Sequence, residues 1–133
     1  MLHKIILVVL FVLPFSLASL AQEANPLEVV QAQLDTYNHH DIDGFSALFA
    51  KDAEIFMNIG DAEPSMKGRA QIKERYGKMF EENPQNKSTL MGRMVQGNFV
   101  FDHEWITGRD NEFKIMAIYE VENGLIVRAW FVR

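Results

Sequence analysis

The chain has 133 residues, carries 18 acidic against 13 basic side chains for a net charge of −5, and contains no cysteine. That length suits one domain with one core, which no disulfide can support. With no basic stripe and no run of lysines, nucleic acid and anionic membrane surfaces are set aside as partners.

Met1 to Ala21 reads as a signal peptide: Lys4 opens it, Ile5 to Leu13 is its apolar run, and Ser19-Leu20-Ala21 is a small-x-small cleavage site. Pro14 and Ser16 break the run well short of the ~20 apolar residues a membrane span needs, so no stable membrane association is expected after cleavage. The chain thus divides into a leader, 1–21, and a domain, 22–133, whose expected location is periplasmic or secreted. Loss of Lys4 makes that domain one charge more negative. Asn86-Lys87-Ser88 fits a glycosylation acceptor, which matters only in a eukaryotic secretory route.

Asn25-Pro26-Leu27-Glu28 has the form of a helix start, with an N-cap, proline at the first helical position and a glutamate three residues past the cap. Val30, Leu34 and Tyr37 follow at helical spacing as its buried stripe. His39-His40-Asp41 interrupts, and Asp41 can cap a second helix with Phe45, Leu48 and Phe49 on its apolar side. A strand is expected over Glu54 to Ile59, then a turn-rich loop over Gly60 to Ser65. Ile72, Tyr76 and Phe80 restore the helical period over Gly68 to Phe80, before Pro84. From Ser88 onward the pattern is strands.

Two-residue loops set the register of these strands. A turn at Gly97-Asn98 places Val95 opposite Val100, Met94 opposite Phe101, Arg93 opposite Asp102, Gly92 opposite His103 and Leu90 opposite Trp105. A turn at Asn123-Gly124 places Tyr119 opposite Arg128, Ile118 opposite Ala129, Ala117 opposite Trp130 and Met116 opposite Phe131. A four-residue loop at Gly108 to Asn111 sets His103 beside Met116. Both faces of the meander are then largely apolar. The helices can cover one, while the other, with Ile115, Ala117, Tyr119, Trp130 and Val132, needs a second layer; a homodimer through this outer face is expected.

Helices first, then a strand, a third helix and a long meander resembles the nuclear transport factor 2-like superfamily, which includes SnoaL-like proteins and ketosteroid isomerases. The residues carrying the likeness are Tyr37 to Asp43 with Leu48 to Ala53, Gly68 to Ile72 with Tyr76, and Ala117 to Val121 with Asn123 to Ile126. The resemblance implies an α+β fold: a cone-shaped, curved antiparallel sheet of the cystatin-like kind, wrapped over three N-terminal helices, with a ligand hollow between them. It also implies where the isomerases' proton-transfer groups would fall. Counting from Asp41 and Asp52-Ala53 puts the oxyanion-binding tyrosine at Gln33 and the base at Met57; counting back from Gly124 puts the protonated acid at Met116. All three are replaced, and only Tyr76 matches a supporting tyrosine, so the steroid isomerase residues are absent.

The register points to His103 as the candidate catalytic base, an imidazole among Phe99, Phe101 and Trp105 on a face taken as concave, with Gly92 leaving room beside it. A core histidine satisfied by a backbone carbonyl is the other reading. Glu104, one residue on, must face the opposite side. Arg93 and Asp102 are expected as a structural ion pair on the outer face, and Tyr119 with Arg128 as a stack at the dimer surface. His39-His40 has no third ligand at useful spacing, so no metal is expected, and no nucleotide loop, serine elbow or cofactor motif is present.

Two functions from different classes follow. In one, the hollow binds a small hydrophobic molecule against Leu34, Tyr37, Met57, Tyr76, Phe101, Trp105 and Met116, with isomerisation, dehydration or hydrolysis by cofactor-free proton transfer at His103. In the other, the cone is filled by its own side chains and the protein is a dimerisation or partner-binding module without turnover.

Overall fold

The computed structural model describes residues 24–133, so the leader assigned to Met1 to Ala21 lies outside the described residues. Among those described, no helix is long and apolar enough to cross a membrane. Helix α1 spans Pro26–Asn38 and opens as its sequence requires: the Glu28 N–H donates to Asn25 Oδ1 at 2.9 Å, and the Glu28 carboxylate accepts from the Asn25 N–H at 3.3 Å. A cap of this kind stabilises a helix by about 1 kcal/mol. Val30, Leu34 and Tyr37 lie on its buried side. His40, at φ 54°, turns the chain into the short α2, Ile42–Ala47, where Asp41 Oδ1 accepts from the Gly44 N–H at 3.0 Å. Helix α3 spans Arg69–Glu82.

Six strands complete the fold: β1 Phe49–Phe56, β2 Met66–Lys67, β3 Lys87–Gln96, β4 Phe99–Thr107, β5 Phe113–Glu122 and β6 Leu125–Val132. They form one sheet in the order β2-β1-β6-β5-β4-β3. Strand β1 begins at Phe49, earlier than the predicted Glu54, because α2 ends after a turn and a half and Phe49 is buried from the sheet rather than from a helix. It pairs parallel with β6, so the sheet is mixed rather than wholly antiparallel. The long excursion between these two strands, through α3 and the meander, gives the chain the length that a parallel return needs.

The turn at Gly97-Asn98 sets the expected register through Gly92 opposite His103, and the β4–β5 loop sets His103 beside Met116. Two bulges defeat the remaining pairings. One between Leu90 and Gly92 moves Leu90 opposite Glu104 and Thr89 opposite Trp105. The other, at Glu120 and Val121, shifts β5 on β6 by one residue, so Glu120 faces Arg128, Tyr119 faces Ala129, Ala117 faces Phe131, Ile118 faces Trp130 and Met116 faces Val132. A bulge inserts one unpaired residue, an offset that turn dipeptides do not encode.

The faces are also the reverse of those expected. On β4 the buried residues are Val100, Asp102, Glu104 and Ile106, which look towards the helices. Ala117 and Tyr119 join them, deep in the core with Val30, Phe45, Phe49, Ile55, Ile72, Ile126 and Ala129. On the convex side lie Phe101, His103 and Trp105 with Met94, Met116, Ile118 and Trp130, among which Met94 is 61% and Trp105 41% exposed. Of the residues assigned to the outer face, Trp130 and Val132 are there; Ala117 and Tyr119 are core.

Candidate functional site

Between the helices and the curved sheet lies a cavity of about 360 Å³, within the range of small-molecule sites. Helix α1 contributes Leu34 and Tyr37, and α3 contributes Tyr76. Met57 and Asn58 reach it from the end of β1, while Ile106, Phe113, Ile115 and Phe131 supply an apolar wall from the sheet. Four of the predicted lining residues, Leu34, Tyr37, Met57 and Tyr76, therefore meet here. Phe101, Trp105, Met116 and the predicted base His103 do not: all four are on the convex face, because neighbouring residues of a strand alternate sides and it is Glu104 that faces inward.

Glu104 is the residue the sequence reading passed over. Its Oε2 accepts from Ser88 Oγ at 2.7 Å, while Oε1 is buried and has no partner. Burial pushes its carboxyl up from 4.5 to about 7, the Asp102 charge adds to the rise, and Ser88 and Arg93 oppose it. A carboxyl in that range exchanges a proton near neutral pH, the property a general acid or base needs. In the same cavity wall Gln33, also buried, leaves Oε1 without a partner.

A second polar group closes another side of the cavity. Arg109 donates through Nε to Asn86 Oδ1 at 2.6 Å and through a terminal nitrogen to the Tyr37 hydroxyl at 2.8 Å; that hydroxyl in turn donates to Asn86 Oδ1 at 3.2 Å. The turn carrying Arg109 is held by Gly108, at φ 77°, whose α-carbon packs so closely on the backbone of Gln85 and Asn86 that a Cβ would collide with the Gln85 carbonyl. Burial raises the Tyr37 pKa despite Arg109, and raises that of Tyr76 as well, so both phenols keep their protons. Asn86 itself is 2% exposed with its oxygen committed, which removes it as a glycosylation acceptor in the folded protein.

Arg93 and Asp102 form the expected pair, bidentate at 2.6 and 2.7 Å, but on the inner face, where Asp102 is fully buried and Gln31 Oε1 accepts a further Arg93 N–H at 2.7 Å. Arg128 pairs with Glu120 at 2.6 Å instead of stacking on Tyr119, as the bulge dictates. His39 Nδ1 bonds the Asp35 carbonyl, and His40 stacks on Phe80 at 4.7 Å with Nε2 on the Asn86 carbonyl; among the described residues no group of three or more His, Asp or Glu could hold a metal.

At the positions counted for the isomerase residues, Gln33 and Met57 do line the cavity, and neither can take a proton. The third, Met116, faces outward; its cavity-facing neighbour is Ile115, equally unable to donate. Glu104 comes instead from β4, so the carboxyl of this cavity stands on a different strand.

The profile of the SnoaL-like domain matches residues 30–129. The chain belongs to that family. No curated protein sequence matches it. Among solved structures it is similar to an uncharacterised cystatin-fold protein from Novosphingobium aromaticivorans, at 24% identity and a TM-score of 0.76 over 83% of this chain and 99% of the other. It is also similar to an NTF2-like protein of unknown function from Cytophaga hutchinsonii, at 14% identity and TM-score 0.69 over 84% and 91%. A candidate ketosteroid isomerase from Kribbella flavida aligns at 21% identity and TM-score 0.66 over 78% and 73%. At these identities the SnoaL-like domain shares with them the cystatin-like, NTF2-like fold.

Proposed function

We propose that this SnoaL-like domain binds a small, largely apolar molecule in its cavity and isomerises it by proton transfer through Glu104. The observation that carries the reading is the buried carboxyl of Glu104, a residue of the cavity wall that leaves one oxygen without a partner. As carboxylate, Glu104 takes a proton from the carbon between a carbonyl and a double bond, leaving a dienolate and a carboxylic acid. It then returns the same proton to the far end of the dienolate, giving the conjugated isomer and regenerating the carboxylate with no co-reactant. Tyr76 lines the same cavity, and its hydroxyl, held protonated by burial, is the donor proposed for the negative oxygen of the intermediate. The similarity to a candidate isomerase supports the reaction class, although the groups differ from those of the steroid isomerases.

The test is conversion of a β,γ-unsaturated cyclic ketone to its conjugated isomer, followed by ultraviolet absorbance. Glu104→Gln should lower turnover by about 10²–10⁴-fold, and wild-type turnover should rise with pH through about 7, since the base must be ionised. Undiminished turnover in Glu104→Gln ends this reading, as it would make the carboxyl a bystander.

The export expected from Met1 to Ala21 belongs to the same proposal, placing the activity in the periplasm or outside the cell. A second reading has one observation in its favour: the convex face exposes Met94, Trp105 and Met116 in a strip that a second copy would cover. In that reading the protein is a homodimer, and sedimentation of the cleaved form as a monomer at micromolar concentration would contradict it.

A further inference from the structure

Two guanidinium groups converge on one ring of the cavity wall. The Arg133 guanidinium carbon sits 3.7 Å from the Phe113 ring centre, and that of Arg109 lies 5.7 Å from the same centre. Both residues line the cavity. Among the described residues neither has a carboxylate within ion-pair distance, although acidic side chains outnumber basic ones by 18 to 13 along the chain. The cations of Arg93 and Arg128, by contrast, each hold a carboxylate at 2.6 Å. Like charges gathered at one aromatic ring repel each other, and the attraction of each cation to the ring face offsets only part of that. A stacked guanidinium keeps its N–H groups in its own plane, where a planar carboxylate accepts two of them at once.

From this convergence we infer that the ligand is an organic carboxylate: its anionic end lies at Arg109 and Arg133, and its apolar body runs along Phe113, Ile115 and Phe131. The inference rests on the reading of the cavity as a ligand site and names the class of molecule it takes. Tyr37, whose hydroxyl accepts from Arg109, lines the same cavity as Glu104. The substrate of the proton transfer is then an unsaturated keto acid rather than a neutral ketone, with the carboxylate serving as anchor and the ketone side as reacting centre. Binding energy from that remote anchor positions the carbon acid at Glu104.

The probes are phenylbutyrate and its neutral amide, which differ in charge and little in shape. Calorimetric titration of the wild-type domain at low salt should show the acid binding at least about tenfold tighter than the amide, with the advantage shrinking as salt rises. Arg133→Met should remove most of that preference while the melting temperature of the unliganded domain stays close to wild type. Arg109→Lys should weaken the acid by less, since it keeps a charge and since Nε and one terminal nitrogen of Arg109 are already held by Asn86 and Tyr37. Equal binding of acid and amide overturns the inference, as does absence of binding by both, and so does an Arg133→Met variant that still prefers the acid as strongly as wild type. The isomerase reading fails on a different measurement: turnover of the neutral ketone that survives Glu104→Gln. Loss of ketone turnover in Glu104→Gln together with equal binding of acid and amide would retain the proton transfer and reject the anionic anchor.

Discussion

The two faces of the sheet invert the usual distribution of polarity. The concave face, sealed by helices, carries Asp102 and Glu104 in its interior, whereas the convex face carries Phe101, Trp105, Met94, Met116 and Trp130 towards solvent. A carboxylate costs several kcal/mol to bury unless it is paired or neutralised. The concave side meets that cost in two ways, by pairing Asp102 with Arg93 and by raising the pKa of Glu104. The first is architecture; the second leaves a group able to exchange a proton. Burial of polarity and exposure of oil on one strand thus separate a site for chemistry from a surface for contact.

The most damaging way to break this arrangement is to unpair Asp102. Arg93→Met leaves a fully buried carboxylate with no cation, and should cost about 3–5 kcal/mol in urea unfolding. A loss below about 1 kcal/mol would mean that water reaches the inner face, and the contrast between the faces would weaken accordingly.

A smaller effect, of opposite sign, comes from Glu104. Its folded pKa of about 7 lies above the ordinary 4.5, so its favourable contribution is complete below pH 4.5, where folded and unfolded chains are both protonated there. As pH rises from 4.5 to about 7 the unfolded chain releases that proton first, and stability falls by about 3 kcal/mol before levelling off. Glu104→Gln should abolish this slope and leave the variant more stable than wild type at pH 8, as read by thermal melts across the range. A variant whose pH profile follows wild type would locate the buried titration elsewhere.

On the convex side the smallest change is expected. Trp105→Lys should alter the stability of the isolated protomer by no more than about 0.5 kcal/mol, the range for open surface positions, while shifting sedimentation towards monomer if the strip joins two copies. A loss of several kcal/mol in the protomer would show that the strip is covered within one chain.

Local chemistry made much of the fold readable: the Asn25 capping box, the Asp41 cap, the helical stripe of Leu34 and Tyr37, and the hairpin register beside Gly97-Asn98 all follow from spacing. The family's element order did the rest. What misled was the choice of face. Phe99, Phe101 and Trp105 outweigh Val100, Asp102 and Glu104 in hydrophobicity, so a rule that sends oil inward selects His103 as the inward residue. The signal that favours Glu104 is cooperative. Arg93 opposes Asp102 on the same face, and two opposed ionisable residues that can neutralise one another tolerate an interior, which a single strand's pattern does not reveal. The bulges at Met91 and at Glu120 and Val121 were beyond reach for another reason, since an extra residue in a strand leaves no mark in turn dipeptides. Arg109 lies in a loop far along the chain from the Asn86 and Tyr37 it joins, and no local spacing announces such a meeting.

The contact at Gly108 makes the rim of the cone unequal. Where the β4–β5 turn rests on Gln85 and Asn86, main chain lies against main chain, and an inserted residue would have to lift both segments together. Met57 and Asn58, which also line the cavity, present side chains to water. Enlarging or reshaping the entrance for a different guest is therefore a matter for the Met57 edge, while the Gly108 edge serves as its fixed jamb.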